Sequence, residues 1–120
     1  MGLRTAQQYL QGLRDGRYVT FKGERVEDVT THEHLGVGAR HTALDFELAE
    51  APEHRELFIW TDDSGARHSR YFKRPKDAQD LLNRREMIET STREAASVVL
   101  LVKEIGTDAL FALDLVSRVV

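Results

Sequence analysis

"DAQDLLNRREMIETSTREAASVVLLVKEIGTDALFALDLVSRVV", Asp77 to Val120, decides the fold class of this chain. Asp77 is an N-cap residue ahead of a run in which Leu81, Leu82, Met87 and Ile88 recur along one side, so a long helix is expected to begin there. Its first half is charged elsewhere, through Arg84, Arg85, Glu86, Glu89, Arg93 and Glu94. The following "AASVVLLV" is apolar on nearly every side, and such a helix requires burial all round. Gly106 is expected to break the helix and Thr107 to cap a last one bearing Leu110, Phe111, Leu113, Leu115 and Val116. That last helix reaches Val119 and Val120 with no glycine or proline stop. The C-terminal third thus carries more apolar surface than two short hairpins can cover. Surface of this kind marks a partner or a further part of a fold.

Working back toward the N-terminus, Tyr9, Leu10 and Leu13 share one face of a short helix, with Thr5 as N-cap and Gly16 as stop. "YVTFKGERVE", Tyr18 to Glu27, alternates with period two around Gly23 and predicts a hairpin. From Leu35 to Ala49, Val37, Leu44 and Leu48 recur at helical spacing with Ala39 and Ala43, and Pro52 ends that helix. "LFIWT" (57–61) and "RHSRYF" (67–72) read as two strands joined by the turn residues Asp62 to Gly65, and Pro75 closes the hairpin. The expected architecture is α+β and mostly helical: two short β-hairpins, a long helix and a C-terminal apolar helix, in one domain spanning 1–120.

Composition removes several function classes. The 120 residues, 41% hydrophobic, suit one modest core. No cysteine is present, so disulfides, thiolate nucleophiles and cysteine-ligated clusters are excluded for this chain. A net charge of −3 gives no global attraction to nucleic acid or anionic membrane. The longest apolar run, Ala95 to Val102, is too short to span a bilayer, and the N-terminus lacks a secretory pattern. A cytoplasmic protein with no nucleic-acid or membrane partner is expected.

Three polar groups interrupt apolar sequence: Lys103, Glu104 and Asp108. Burial would perturb their ionisation and make them substrate-pocket candidates. The alternative puts Lys103 and Glu104 at the exposed mouth of an interhelical turn and Asp108 in support of the last cap. Arg67, Arg70 and Arg74, with Lys73 and Lys76, form a basic cluster. It reads either as phosphate contacts, for a flavin or a CoA thioester, or as a solvated face balanced by Asp62, Asp63, Asp77 and Asp80. His32, His34, His41 and Asp45 match no recognised zinc spacing, so no metal site is expected. Gly36-Val37-Gly38 lacks the strand and third glycine of a dinucleotide fingerprint. No catalytic residue is assigned.

The order of short motifs resembles the N-terminal domain of the 4-hydroxyphenylacetate 3-hydroxylase family. The matching residues include Arg4-Thr5, Tyr9-Leu10, Asp15-Gly16-Arg17, Gly23-Glu24-Arg25-Val26, Thr31-His32 and Ala39-Arg40. Phe46-Glu47-Leu48, Pro52-Glu53-His54, Asp62 to Arg67, Ser69-Arg70, Pro75 and Arg84-Arg85-Glu86-Met87 continue the match. Glu33 departs from it, standing where the family shows proline. The resemblance implies the N-terminal domain of an acyl-CoA dehydrogenase-like oxygenase that uses reduced FAD. It makes "GERVEDVTTH" (23–32) a turn and helix start, with Thr31 as cap. It also implies that the flavin-binding barrel and C-terminal helical bundle are absent from this chain, so that a larger oxygenase chain holds the FAD and a flavin reductase supplies it.

Phenol-hydroxylating members carry Arg-Ser-Pro-Asp-Tyr where this chain has Ile105-Gly106-Thr107-Asp108-Ala109, so only the aspartate remains and a phenolic-acid substrate does not carry over. A second branch, the 4-hydroxybutyryl-CoA dehydratases, is similar through "TSTREAAS" and "GTDALFAL". Its cluster cysteines are replaced by residues such as Val98, Leu101 and Val102. The expected function is the N-terminal subunit or domain of a two-component monooxygenase, walling the substrate pocket within an oligomer and inactive alone. The alternatives are a non-catalytic assembly module and a subunit of a CoA-thioester lyase or isomerase without iron–sulfur ligands in this chain.

Overall fold

A computed structural model describes residues 3–96 and 101–119, apart from the side chains of 101 and 102. The residues at the dehydratase cysteine positions, Val98, Leu101 and Val102, therefore lie outside the described side chains. Thr5 opens α1 (Ala6–Gly12) with a reciprocal cap: its hydroxyl accepts from the Gln8 N–H, and the Gln8 amide oxygen accepts from the Thr5 N–H, both at 3.0 Å. The helix stops at Gly12 with Leu13 as C-cap, short of Gly16, which takes φ +78° in the following loop. Tyr9 stacks on Phe46 at 4.9 Å, which binds α1 to the next helix.

β1 (Val19–Phe21) and β2 (Glu24–Val26) pair antiparallel through a turn in which Lys22 and Gly23 both have positive φ. After them Asp28 folds the chain back on itself: one carboxylate oxygen accepts from the Thr30 N–H at 2.8 Å and the Thr30 hydroxyl at 2.6 Å. Arg14 reaches over from the end of α1 to the other Asp28 oxygen and to the Thr30 hydroxyl, each at 2.8 Å. α2 (Leu35–Glu50) starts on this turn. Thr31 is not its cap, because its hydroxyl turns back to the Asp28 carbonyl; the His32 ring nitrogen Nδ1 accepts from the N–H groups of His34 and Leu35 instead. Gly36 presses against the same turn so closely that a Cβ there would lie 2.8 Å from the Thr30 carbonyl oxygen. Along α2, Ala39, Ala43 and Leu48 face inward, whereas Val37 is exposed.

The second hairpin is shorter than its sequence suggests. Residues 57 and 58 belong to a helical turn, α3 (Arg55–Phe58), and the strands are β3 (Ile59–Thr61) and β4 (Arg67–Ser69). A 3-10 turn follows at Arg70–Phe72. Arg70 binds this helical turn to the hairpin, its guanidinium donating to the carbonyls of Glu56, Leu57 and Ile59. Between the strands, Asp62 gathers the N–H groups of Ser64 and Ala66, the Ser64 hydroxyl and the His68 ring.

Asp77 caps α4 (Ala78–Glu94), accepting from the Asp80 N–H at 2.8 Å. The buried row of α4 is Arg84, Met87 and Ser91, while Leu81 and Leu82 are exposed. α4 ends far ahead of the expected break: Ala96 adopts φ +53° and its N–H bonds to the Arg93 carbonyl. α5 (Leu101–Val116) then runs straight through Gly106, and Thr107 lies inside it with its hydroxyl bonded back to the Lys103 carbonyl. The core gathers where α2, α3, the 3-10 turn and α4 meet, around Leu48, Phe58, Tyr71 and Met87. The result is the expected α+β, mostly helical architecture. Among the described residues no helix is long and apolar enough to cross a membrane.

Two predictions follow the backbone and the Asp28 turn. Gly106 is exposed in mid-helix with nothing within 4 Å of an added Cβ, and Ala96 is a left-handed helix end. Gly106→Ala and Ala96→Gly are therefore each expected to stabilise the fold by about 0.5–1 kcal/mol in urea denaturation. A helix break at Gly106 would reverse the first sign. The Asp28 carboxyl is lowered from 3.8 to about 2, chiefly by the Thr30 hydroxyl and then by Arg14. A depressed folded value means that its stabilisation is complete above about pH 4 and is lost as pH falls through about 2. Melts of the protein and of Asp28→Asn should therefore differ at pH 5 and converge toward pH 2.

Candidate functional site

The groups interrupting the apolar C-terminal third all turn inward. Arg84, buried on α4, extends across to α5: Nε donates to Asp108 Oδ1 at 2.9 Å, and Nη2 donates to the Glu104 carbonyl at 3.0 Å and the Thr107 hydroxyl at 2.7 Å. Nη1 donates to the Tyr71 carbonyl at 3.1 Å, and the guanidinium lies over the Phe111 ring. One side chain thus joins α4, the 3-10 turn and α5.

Lys103 points the other way, onto α2. Its ammonium pairs with the buried Asp45 carboxylate and sits 3.8 Å from the centre of the Phe46 ring. Burial pushes the Lys103 ammonium down to about 8. Glu104, only 4% exposed, takes the Ser91 hydroxyl at 3.1 Å. The Tyr71 hydroxyl is buried without a hydrogen-bond partner among the described residues, and burial pushes it up to about 12.

Neither sequence alternative for these three residues describes this arrangement fully. Lys103 and Glu104 are inside the domain, in the first turn of α5, because no turn interrupts the helix at Gly106. Asp108 caps nothing; its carboxylate holds Arg84 and remains largely exposed. Five surface grooves, of about 270 to 690 Å³, have other linings, and Lys103, Glu104 and Asp108 line none of them.

The basic cluster comes apart in the fold. Arg70 is engaged by three carbonyls, Arg74 pairs with Asp114 at 2.7 Å, and Lys73 pairs with Asp80. Of the phosphate-contact candidates only Arg67 stands in an open groove without an internal partner among the described residues. Asp45 is taken by Lys103, His32 caps α2, and among the described residues no three His, Asp or Glu side chains converge on a metal position. Gly36 is packed on the Thr30 carbonyl, so the Gly36–Gly38 stretch offers no phosphate cradle.

Sequence reasoning missed Arg84, Ser91 and Tyr71 as one network. The available signal was helical spacing: positions 84, 87 and 91 lie on one face, and Met87 identifies that face as the buried one.

With this geometry established, a family model described as 4-hydroxyphenylacetate 3-hydroxylase N terminal matches residues 5–119. The chain belongs to this family. It is 41% identical over 83 residues to the oxygenase component of 4-nitrophenol 4-monooxygenase/4-nitrocatechol 2-monooxygenase from Rhodococcus opacus, covering 69% of this chain and 16% of that protein. A solved oxygenase component, HpaB, complexed with FAD and 4-hydroxyphenylacetate, superposes with TM-score 0.69 at 30% identity, over 76% of this chain and 19% of that one. An archaeal 4-hydroxybutyryl-CoA dehydratase from N. maritimus shares the fold more extensively, with TM-score 0.78 over 92% of this chain and 22% of its own, at 20% identity. The chain therefore spans less than a quarter of each protein, and its fold matches the N-terminal domain of the HpaB-like oxygenases.

Arg84 supplies the test of the site. Arg84→Ala removes the guanidinium bonds between α4 and α5, leaving the Ser91–Glu104 bond, and deprives Asp108 and the Tyr71 carbonyl of their donor. A loss of about 1.5–3 kcal/mol is expected in chemical denaturation. Arg84→Lys should recover less than half of it, because an ammonium cannot reproduce the planar fork.

Proposed function

We propose that this chain is the N-terminal unit of a two-component, FADH2-dependent monooxygenase of the 4-hydroxyphenylacetate 3-hydroxylase kind. Its own part is to form one wall of the substrate pocket with α4 and α5 and to support a larger flavin-binding oxygenase chain. Reduced FAD is held mainly by that larger chain and supplied by a flavin reductase in the cytoplasm. The bound flavin provides the oxygenation chemistry; this chain provides shape, a dry apolar wall and a rigid mount.

The observation that carries this reading is the outer half of α5. Leu110, Leu113, Leu115 and Val116 are between 58 and 65% exposed, and Ile105 is 61% exposed on the same helix. Leu110, Leu113 and Val116, spaced i, i+3 and i+6, share one exposed face of the helix, an apolar surface that a free domain does not keep. In a chain that spans 16% of one relative and 19% of an FAD-complexed one, the missing flavin-binding part is the fitting cover. The Arg84 network supports the same role, since it holds α5 at a set angle while its outer face stays free.

A second reading, a non-catalytic assembly module, draws on the inward bonding of Lys103, Glu104 and Asp108. Turnover separates the two: an oxygenase that works equally well without this chain would favour the module.

Purification from the native source under mild conditions, with mass spectrometry and flavin absorbance, tests the main reading. A larger flavin-binding chain is expected to accompany this one. Leu113→Asp combined with Val116→Asp should weaken that association by about a hundredfold, as charge is placed in an apolar contact. A lone, colourless protein that associates only with itself would end the oxygenase assignment.

A further inference from the structure

A different face of the molecule carries unbalanced positive charge. Two adjoining grooves, of about 620 and 400 Å³, meet at Arg55, Ile59 and Arg67. The larger runs past Arg4 and the end of α2, and the smaller runs past Trp60. Three guanidinium groups from three separate segments therefore meet at one depression: Arg4 ahead of α1, Arg55 on α3 and Arg67 on β4.

Internal bonds leave these groups largely available. Among the described residues Arg4 and Arg67 make no ion pair and no side-chain hydrogen bond, and Arg55 uses one nitrogen, on the Glu50 carbonyl at 2.9 Å. The Glu50 carboxylate is partly occupied by the Ala6 N–H at 3.2 Å. Arg70 and Lys73, which extend the positive lining of the smaller groove, are fixed by their own partners. This local excess sits in a chain of net charge −3, so overall composition does not explain it. Cations gathered within a Debye length repel one another, and a bound anion removes that cost. Guanidinium forks match phosphate oxygens in pairs, and both volumes suit a small-molecule site.

We propose that this groove binds the diphosphate group of a small-molecule ligand, with Arg55 and Arg67 between its two phosphates and Arg4 at the outer one. Two lobes sharing two arginines favour a diphosphate over a single phosphate. The site is independent of the α5 surface and does not require the oxygenase reading.

The protein contains one tryptophan, Trp60, in the wall of the smaller lobe, and it is the natural reporter. Inorganic pyrophosphate titrated into the 120-residue chain at low salt should give a saturable change in Trp60 fluorescence, matched by calorimetry. Arg67→Ala, on an exposed strand position, should weaken binding at least about tenfold, and so should Arg4→Ala. Arg85→Ala, on the exposed side of α4, should leave it unchanged. ADP titrated in parallel identifies the source: equal affinity means that the diphosphate alone is read, and tighter binding means a nucleotide. No saturable response from a folded chain would overturn the proposal, as would undiminished binding by Arg67→Ala. The same response from chloride at equal ionic strength, or from polyglutamate but not pyrophosphate, would also overturn it.

Discussion

The buried guanidinium of Arg84 is the constraint on which the rest of this domain depends. Apolar contacts around Leu48, Phe58, Tyr71 and Met87 bring α2, α3 and α4 together, but α5 lies beyond that cluster. What fixes α5 is a set of directional bonds from one side chain to Asp108, Thr107 and the Glu104 carbonyl, with the Tyr71 carbonyl completing the fork. Hydrogen bonds from a planar cation specify angle as well as distance, whereas hydrophobic packing alone allows helices to slide. The Lys103–Asp45 pair adds a second bond to α2, and Phe46 passes it on to Tyr9 of α1 through their stacked rings.

That mode of attachment explains how a small domain can present an apolar helix without collapsing onto it. A helix held mainly by its inner polar row, Lys103, Glu104 and Thr107, leaves its aliphatic residues free to face outward. The polar groups that interrupt the apolar sequence, Lys103, Glu104 and Asp108, bond α5 to its neighbours. They hold in place a helix whose aliphatic face is exposed, in a chain that matches the N-terminal part of much longer relatives.

The parts legible in the sequence were those governed by local physics. Thr5 and Asp77 cap their helices through their own side chains, Lys22–Gly23 makes its turn, and Asp62 organises the second hairpin from within. The order of motifs also identified the family, because that order is a property of the chain itself. Errors arose where distant groups decided. Arg70 holds a helical turn in place of an expected strand, His32 replaces Thr31 at a helix start, and α4 ends at alanines while α5 ignores a glycine.

Sequence by itself thus determined the helical class, the two hairpins, the absence of cysteine chemistry and the surplus of apolar surface at the C-terminus. Tertiary structure alone decided that Lys103, Glu104 and Asp108 bond to neighbouring elements, that Arg67 alone of Arg67, Arg70 and Arg74 lacks a partner for its side chain among the described residues, and that Arg4 and Arg55 line the same groove. The physical reason is range. Caps and turns are satisfied within a few residues, but a buried charge takes whichever partner the packed chain brings to it, here across separations that no local pattern records.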